Sequence, residues 1–250
     1  MKPLLTKVKP TSGFSNLFHI ALLVILPVLV FVLVRLEFVQ LALSVVVLSK
    51  WRMLAVRPRF WAANVRANAV DIIVGISIVL FMVENANSAA IQLLFVVLYG
   101  SWLIYVKPAS GLFATSVQAS IGQLCGLMAL YVVWPDGPLY GLTVITGLIC
   151  FLAARHFFDA FNETYARLLS YLWGYFGAAL AWILGHWLLF YGFVAQPALL
   201  LSALGYGLAS LYYLDHKDRL SIGVRRQFIF IMLAIVAVVL VFSDWGTNIV

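Results

Sequence analysis

The chain has 250 residues, of which 64% are hydrophobic and only 10% charged, and its mean hydropathy is +1.05. Soluble domains carry about 45–50% apolar and about 25% charged residues. This chain therefore lacks the polar surface that a water-soluble globule needs, and it reads as one integral membrane domain over residues 1–250 with no soluble domain. The net charge of +7 would suggest nucleic acid in a soluble protein. Here no basic run is long enough to track a phosphate backbone, and the cations flank apolar runs, where they meet anionic lipid headgroups.

Lipid offers the backbone no hydrogen bonds, which leaves helices or a closed barrel as spanning structures. The apolar runs are continuous rather than alternating, which points to helices. At about 20 apolar residues per crossing, the expected fold is all-α, a polytopic transmembrane helical bundle of about nine spans. They are residues 17–34, 36–48, 69–83, 88–106, 110–134, 139–154, 166–194, 197–214 and 222–242.

Lys2, Lys7 and Lys9 precede the first run, as in a signal peptide, but no small-x-small cleavage site follows. The run is expected to remain as the first span. Residues 18–48 are broken only by Arg35, Glu37 and Gln40. One helix over them would be about 46 Å long, against a hydrocarbon core of about 30 Å. A split at Arg35–Glu37 fits better than a merged helix, which would give eight spans. The short second span could extend through Met53, with Lys50 and Arg52 snorkelling to the interface.

The following loop sets Arg52, Arg57, Arg59 and Arg66 among Trp51, Phe60 and Trp61. This pattern predicts an interfacial helix on anionic headgroups. Asp71 is expected to cap the next helix or to pair with Arg66 or a neighbouring arginine. Further along, residues 110–134 contain Gln118 and Gln123, and Gly122 and Gly126 stand in GxxxG spacing. The glycines suit close helix contact. The amides are too costly to face lipid and are expected inside the bundle, where they could line a substrate cavity together with His186. Gly177, Ala181 and Gly185 repeat the small-residue spacing. Cys125 and Cys150 lie within apolar runs and read as small core residues.

Residues 155–167 carry the densest polar cluster. If helical throughout, His156, Asp159, Glu163 and Arg167 share one stripe, with Phe158, Phe161 and Tyr165 opposite. Asn162 could cap the next helix, with Glu163 in its first turn. The loop 215–219 adds Asp215, His216 and Asp218. If these loops converged, His156, Asp159, Glu163, Asp215, His216 and Asp218 could serve as acid, base or Mg²⁺ ligands of an enzyme acting on a lipid-linked substrate. His186, a titratable group inside a predicted span, is a functional candidate by default.

No lysine sits within a late span to form a retinal Schiff base. A bis-His haem is disfavoured, because His19 and His186 fall at different depths. Nucleotide-binding glycine motifs are missing. Three roles follow: a carrier or binder of a small or lipidic substrate, the lipid-substrate enzyme, or a structural subunit with a membrane-protein partner or a second copy of itself.

With the N-terminus inside and nine spans, 15 of the 16 cations fall on the inner face and only Arg35 falls outside. This bias predicts a cytoplasmic N-terminus, an external C-terminus and residence in a prokaryotic inner membrane. Reporter tags inserted after Val106 and after Phe242 are expected in opposite compartments. Both tags in one compartment would break this threading.

Overall fold

A computed structural model of the chain describes residues 14–186, 190–191 and 194–243, without side-chain detail at 14–20, 22, 52 and 190–191. Lys2, Lys7, Lys9 and Asp244 lie outside the described residues, as do the side chains of His19 and Arg52. The chain is helical: α1 (Phe14–Arg35), α2 (Val39–Leu48), α3 (Trp61–Ala67), α4 (Ala69–Glu84), α5 (Ala89–Ser101), α6 (Leu112–Val133), α7 (Leu139–Ala160), α8 (Ala166–Gly185), α9 (Gln196–His216) and α10 (Ile222–Phe242). One antiparallel two-stranded hairpin, β1 (Phe190–Tyr191) and β2 (Val194–Ala195), joins α8 to α9.

Among the described residues, six helical segments are long and apolar enough to cross a membrane: α5 with its following turn, and α6 to α10. A seventh crossing exists if residues 58–67 and α4, bent by 61° at their junction, count as one span. Of the other predicted spans, α1 runs 22 residues, and α2 and α4 are shorter at 10 and 16. At about 1.5 Å per residue, α2 covers roughly 15 Å. It ends at Leu48 and does not run on to Met53; Trp51–Met53 form a separate 3-10 turn. The break between α1 and α2 falls at Arg35–Phe38, with Glu37 in the left-handed region at φ 64° and the Arg35 guanidinium donating to the Ala86 carbonyl at 2.9 Å. The α1–α2 turn and the α4–α5 turn therefore meet at one end of the bundle.

Local chemistry marks the helix ends. The Ser88 and Ser221 hydroxyls accept from the Ile91 and Val224 amides to start α5 and α10. Pro138 precedes α7, and Pro197 occupies the first turn of α9. Asn162 (φ 52°) and Asp218 (φ 53°) close α7 and α9 in left-handed conformations. Within the helices, Ser77, Ser116, Ser120 and Ser170 return their hydroxyls to the carbonyl four residues back, so these side chains need no outside partner.

Two larger cores form. One gathers Val30, Ala42, Val46, Val74, Met82 and Tyr99 from α1, α2, α4 and α5; the other gathers Leu127, Leu142, Cys150, Ala198 and Leu201 from α6, α7 and α9. Small residues join the layers. A Cβ at Gly122 would stand 2.7 Å from Val70 Cγ1, and one at Gly126 would stand 2.7 Å from Ile73 Cγ2, so α6 lies tightly on α4. Gly147 and Gly174 bring α7 and α8 into backbone contact: a Cβ at either would fall within 3.1 Å of the other's carbonyl oxygen. Gly177 accommodates Cys150 on the same seam. By contrast α10 touches the bundle through little more than Met232, seated on Gly207 of α9, and Val239; 6% of its apolar window is buried.

Replacing Gly174 by leucine is expected to lower stability in detergent by about 2–3 kcal/mol through overpacking. At Gly100 no atom lies within 4 Å of the place a Cβ would take, so Gly100→Ala is expected to gain up to about 1 kcal/mol from helix propensity. Thermal unfolding of the two variants checks both values.

Candidate functional site

The bundle gathers its polar side chains at the end opposite the Arg35–Ala86 contact. Lys50 follows α2, Asp71 lies in the first turn of α4, and Lys107 follows a turn after α5. Asp71 Oδ2 sits 2.5 Å from Lys50 Nζ and 2.6 Å from Lys107 Nζ, and the Trp102 indole donates to Oδ1 at 2.9 Å. Asp71 and Lys50 are each 7% exposed. The turn after α5 is π-helical over Trp102–Val106, closed by the Lys107 amide donating to the Trp102 carbonyl at 2.8 Å. Such wide turns carry one residue more per turn than an α-helix. This one aims the Trp102 indole and the Lys107 ammonium at the same carboxylate.

These contacts correct two expectations. Lys50 does not snorkel to the interface; it is buried against Asp71. Asp71 does not pair with Arg66, whose Nε lies 3.9 Å from Asp159 instead. Arg155 holds the same Asp159 through two nitrogens, at 2.9 and 3.2 Å.

Gln118 ties the chain after the π-turn to α7. Its Nε2 donates to the carbonyls of Val106 (2.7 Å) and Ala109 (3.0 Å), anchoring the strand of chain that leaves the π-turn. Its Oε1 lies 3.1 Å from His156 Nε2. Because the amide nitrogen is committed to carbonyls, the amide oxygen accepts and the imidazole donates from Nε2. A layer thus runs from Lys50 through Asp71, Lys107 and Gln118 to His156, with Asp159 between two arginines beside it.

The stripe His156–Asp159–Glu163–Arg167 does not form, because α7 stops at Ala160 and the chain reverses at Asn162. Nor does Asn162 cap the next helix: it closes the preceding one. Glu163 instead accepts from the Tyr165 amide (3.3 Å) and from the Tyr212 hydroxyl. The Tyr212 hydroxyl, first, and then the backbone amides hold its carboxyl below the ordinary glutamate range. The His216 ring stands edge-on to Phe161, centroids 5.0 Å apart, so the α7–α8 and α9–α10 loops do touch. The Asp215 carbonyl accepts from the Asp218 amide at 2.9 Å to close the second loop. The six loop residues nevertheless divide between separate partners. Among the described residues no three His, Cys, Asp or Glu side chains gather to hold a metal ion.

A cavity of about 550 Å³ lies between α6, α7, α8 and α9, with Met232 of α10 at its margin. Gln123 forms part of its back wall and is fully engaged: its Nε2 donates to the Leu201 carbonyl and its Oε1 accepts from the Trp173 indole, both at 2.8 Å. The remaining walls are aromatic and aliphatic, with Phe157, Phe158, Phe176 and Tyr212 prominent. The Ser202 hydroxyl is a buried lining group without a hydrogen-bond partner among the described residues. Leu172, Phe176, Tyr206 and Leu208 line the cavity and are also exposed on the outer surface, so it opens sideways between α8 and α9.

Gln118, Gln123 and His186 therefore do not share one cavity. Gln118 belongs to the polar layer and Gln123 to the cavity wall. His186 follows α8 at the opposite end, its Nδ1 2.7 Å from the Trp182 carbonyl oxygen. In the basic loop, Trp51 and Trp61 are exposed, the Trp61 indole donates to the Leu54 and Val56 carbonyls, and Arg59 lies over the Phe60 ring at 4.6 Å. Arg57 immediately precedes the 3-10 turn that begins at Pro58.

No family model matches this chain, and no curated protein or solved structure matches it. The functional reading rests on the layer and the cavity alone.

Sequence reasoning missed Lys50, Lys107 and Trp102 as partners of Asp71. A signal existed: all three charged residues stand at span ends at one depth. The role of Trp102 depends on the π-turn, which leaves no mark in hydropathy. Asp71→Asn leaves two ammonium groups facing no carboxylate and is expected to cost about 3–5 kcal/mol. Asp159→Asn, at a half-exposed pair, is expected to cost about 0–1 kcal/mol. Equal losses in denaturant titrations would remove the distinction between the two.

Proposed function

We propose that this integral membrane protein binds and carries a lipidic substrate, which enters its cavity sideways from the bilayer between α8 and α9. One observation carries the reading: a largely apolar cavity of about 550 Å³ whose mouth is edged by exposed apolar side chains. Small-molecule sites typically enclose about 300–1,000 Å³, are mostly apolar and fix orientation through a few polar groups. Here Ser120, Gln123, Ser202 and Tyr212 are among the polar side chains on the lining. Trp173, held by Gln123, supplies a fixed aromatic wall.

The route follows from how the helices meet. Leu184 of α8 packs with Leu200 of α9 near the hairpin, and the cavity opens beside the same helices farther along. An opening toward water would demand polar lining; an opening toward lipid demands the apolar rim observed here. In this reading the nine apolar helices form the membrane body, the basic end faces the cytoplasm, and the cavity draws from the leaflet on that side.

Protein purified in a lipid-free detergent is expected to release one apolar or single-polar-group lipid per chain on solvent extraction, identified by mass spectrometry. Ala209→Trp, which fills the cavity from α9, is expected to lower that yield about tenfold while the melting temperature stays within a few degrees. An unchanged yield would remove the cavity from the reading.

A further inference from the structure

The polar layer holds more positive charge than its own carboxylates neutralise. Asp71 faces Lys50 and Lys107, and Asp159 faces Arg66 and Arg155, so two carboxylates meet four cations. Gln118 and His156 tie the chain after the π-turn to α7, the helix that carries Arg155 and Asp159. Two of the four cations are shielded from water. Lys50 is nearly sealed and the Arg155 side chain is 16% exposed, with its Nη1 buried and without a hydrogen-bond partner among the described residues. A net charge held beside apolar helices is costly unless an anion shares the site.

We infer that this layer is a seat for a phosphate group, with Arg66 and Lys107 as the accessible arms that bind it. Their side chains are 41% and 35% exposed, whereas Lys50 and Arg155 stand behind them and supply field rather than contact. Arg66 has spare capacity, because only its Nε approaches Asp159, and at 3.9 Å. Its guanidinium fork therefore remains open to phosphate oxygens, the geometry for which arginine is suited. Lys107 brings a mobile point charge. The neighbouring chain suits a membrane surface: Trp51, Phe60, Trp61 and Tyr105 are all exposed, and aromatic side chains with basic neighbours settle at headgroup level. The same phosphate chemistry is offered by an anionic phospholipid and by free phosphate. The seat is separate from the α8–α9 cavity and does not depend on what that cavity holds.

Native mass spectrometry tests the inference, using full-length protein titrated with phosphatidylglycerol, with phosphatidylcholine or with inorganic phosphate. The Ala209→Trp background is run in parallel so that lipid in the cavity is not counted. At least one phosphatidylglycerol, or one inorganic phosphate, is expected to stay bound about tenfold more tightly than phosphatidylcholine. Arg66→Gln is expected to lower that affinity about tenfold, with Arg66→Lys intermediate. Arg225→Gln, on the first turn of α10, is expected to leave it unchanged. Competition by inorganic phosphate identifies a seat that reads the phosphate alone; retention of phosphatidylglycerol against it identifies a headgroup seat. Equal retention of the two lipids with no binding of phosphate would overturn the inference. So would an equal loss in Arg66→Gln and Arg225→Gln, since general surface charge would then explain the effect.

Discussion

One carboxylate organises the first half of the molecule. Asp71 lies in a region of low polarity, where an unpaired charge is costly, and it is held by two ammonium groups and an indole. The partners come from two stretches of chain: the end of α2, and the π-turn with the residue after it. The ion-pair group therefore fixes the positions of α2, α4 and α5 at once. α2 ends at Leu48, and a 3-10 turn over Trp51–Met53 follows the buried Lys50.

The second half is organised by shape rather than charge. Glycine and alanine let α7 and α8 approach until their backbones touch, and the same device seats α6 on α4. In lipid, where the surrounding chains are as apolar as the side chains themselves, such close contact supplies the attraction that water exclusion supplies elsewhere. Between α8 and α9 contact is made around Leu184 and Leu200 and again where Trp173 meets Gly205, and the cavity opens beside it. The bundle therefore combines a tight seam with a looser one.

The helices were legible from hydropathy because lipid leaves the backbone few alternatives, and each predicted apolar segment holds a helix; the one expected over 166–194 ends at Gly185, before the β-hairpin. The second span is shorter than its apolar run, because hydropathy does not report where a helix ends. The interior positions of Gln118 and Gln123 followed from desolvation cost alone. Their separation into two sites did not, because it depends on which helices they face. The loop stripe failed for a local reason: a helical projection cannot register the reversal at Asn162. Small-residue spacing was informative about contact and silent about partner, so the pairing of Gly147 with Gly174 came only with the structure.

The seam between those two glycines has a mechanical consequence. With backbone against backbone, α7 and α8 have no compressible side chains between them and must move as one blade. That blade also carries Arg155, His156 and Asp159, so any displacement of the α7–α8 pair is felt in the ion-pair layer as well as at the cavity wall.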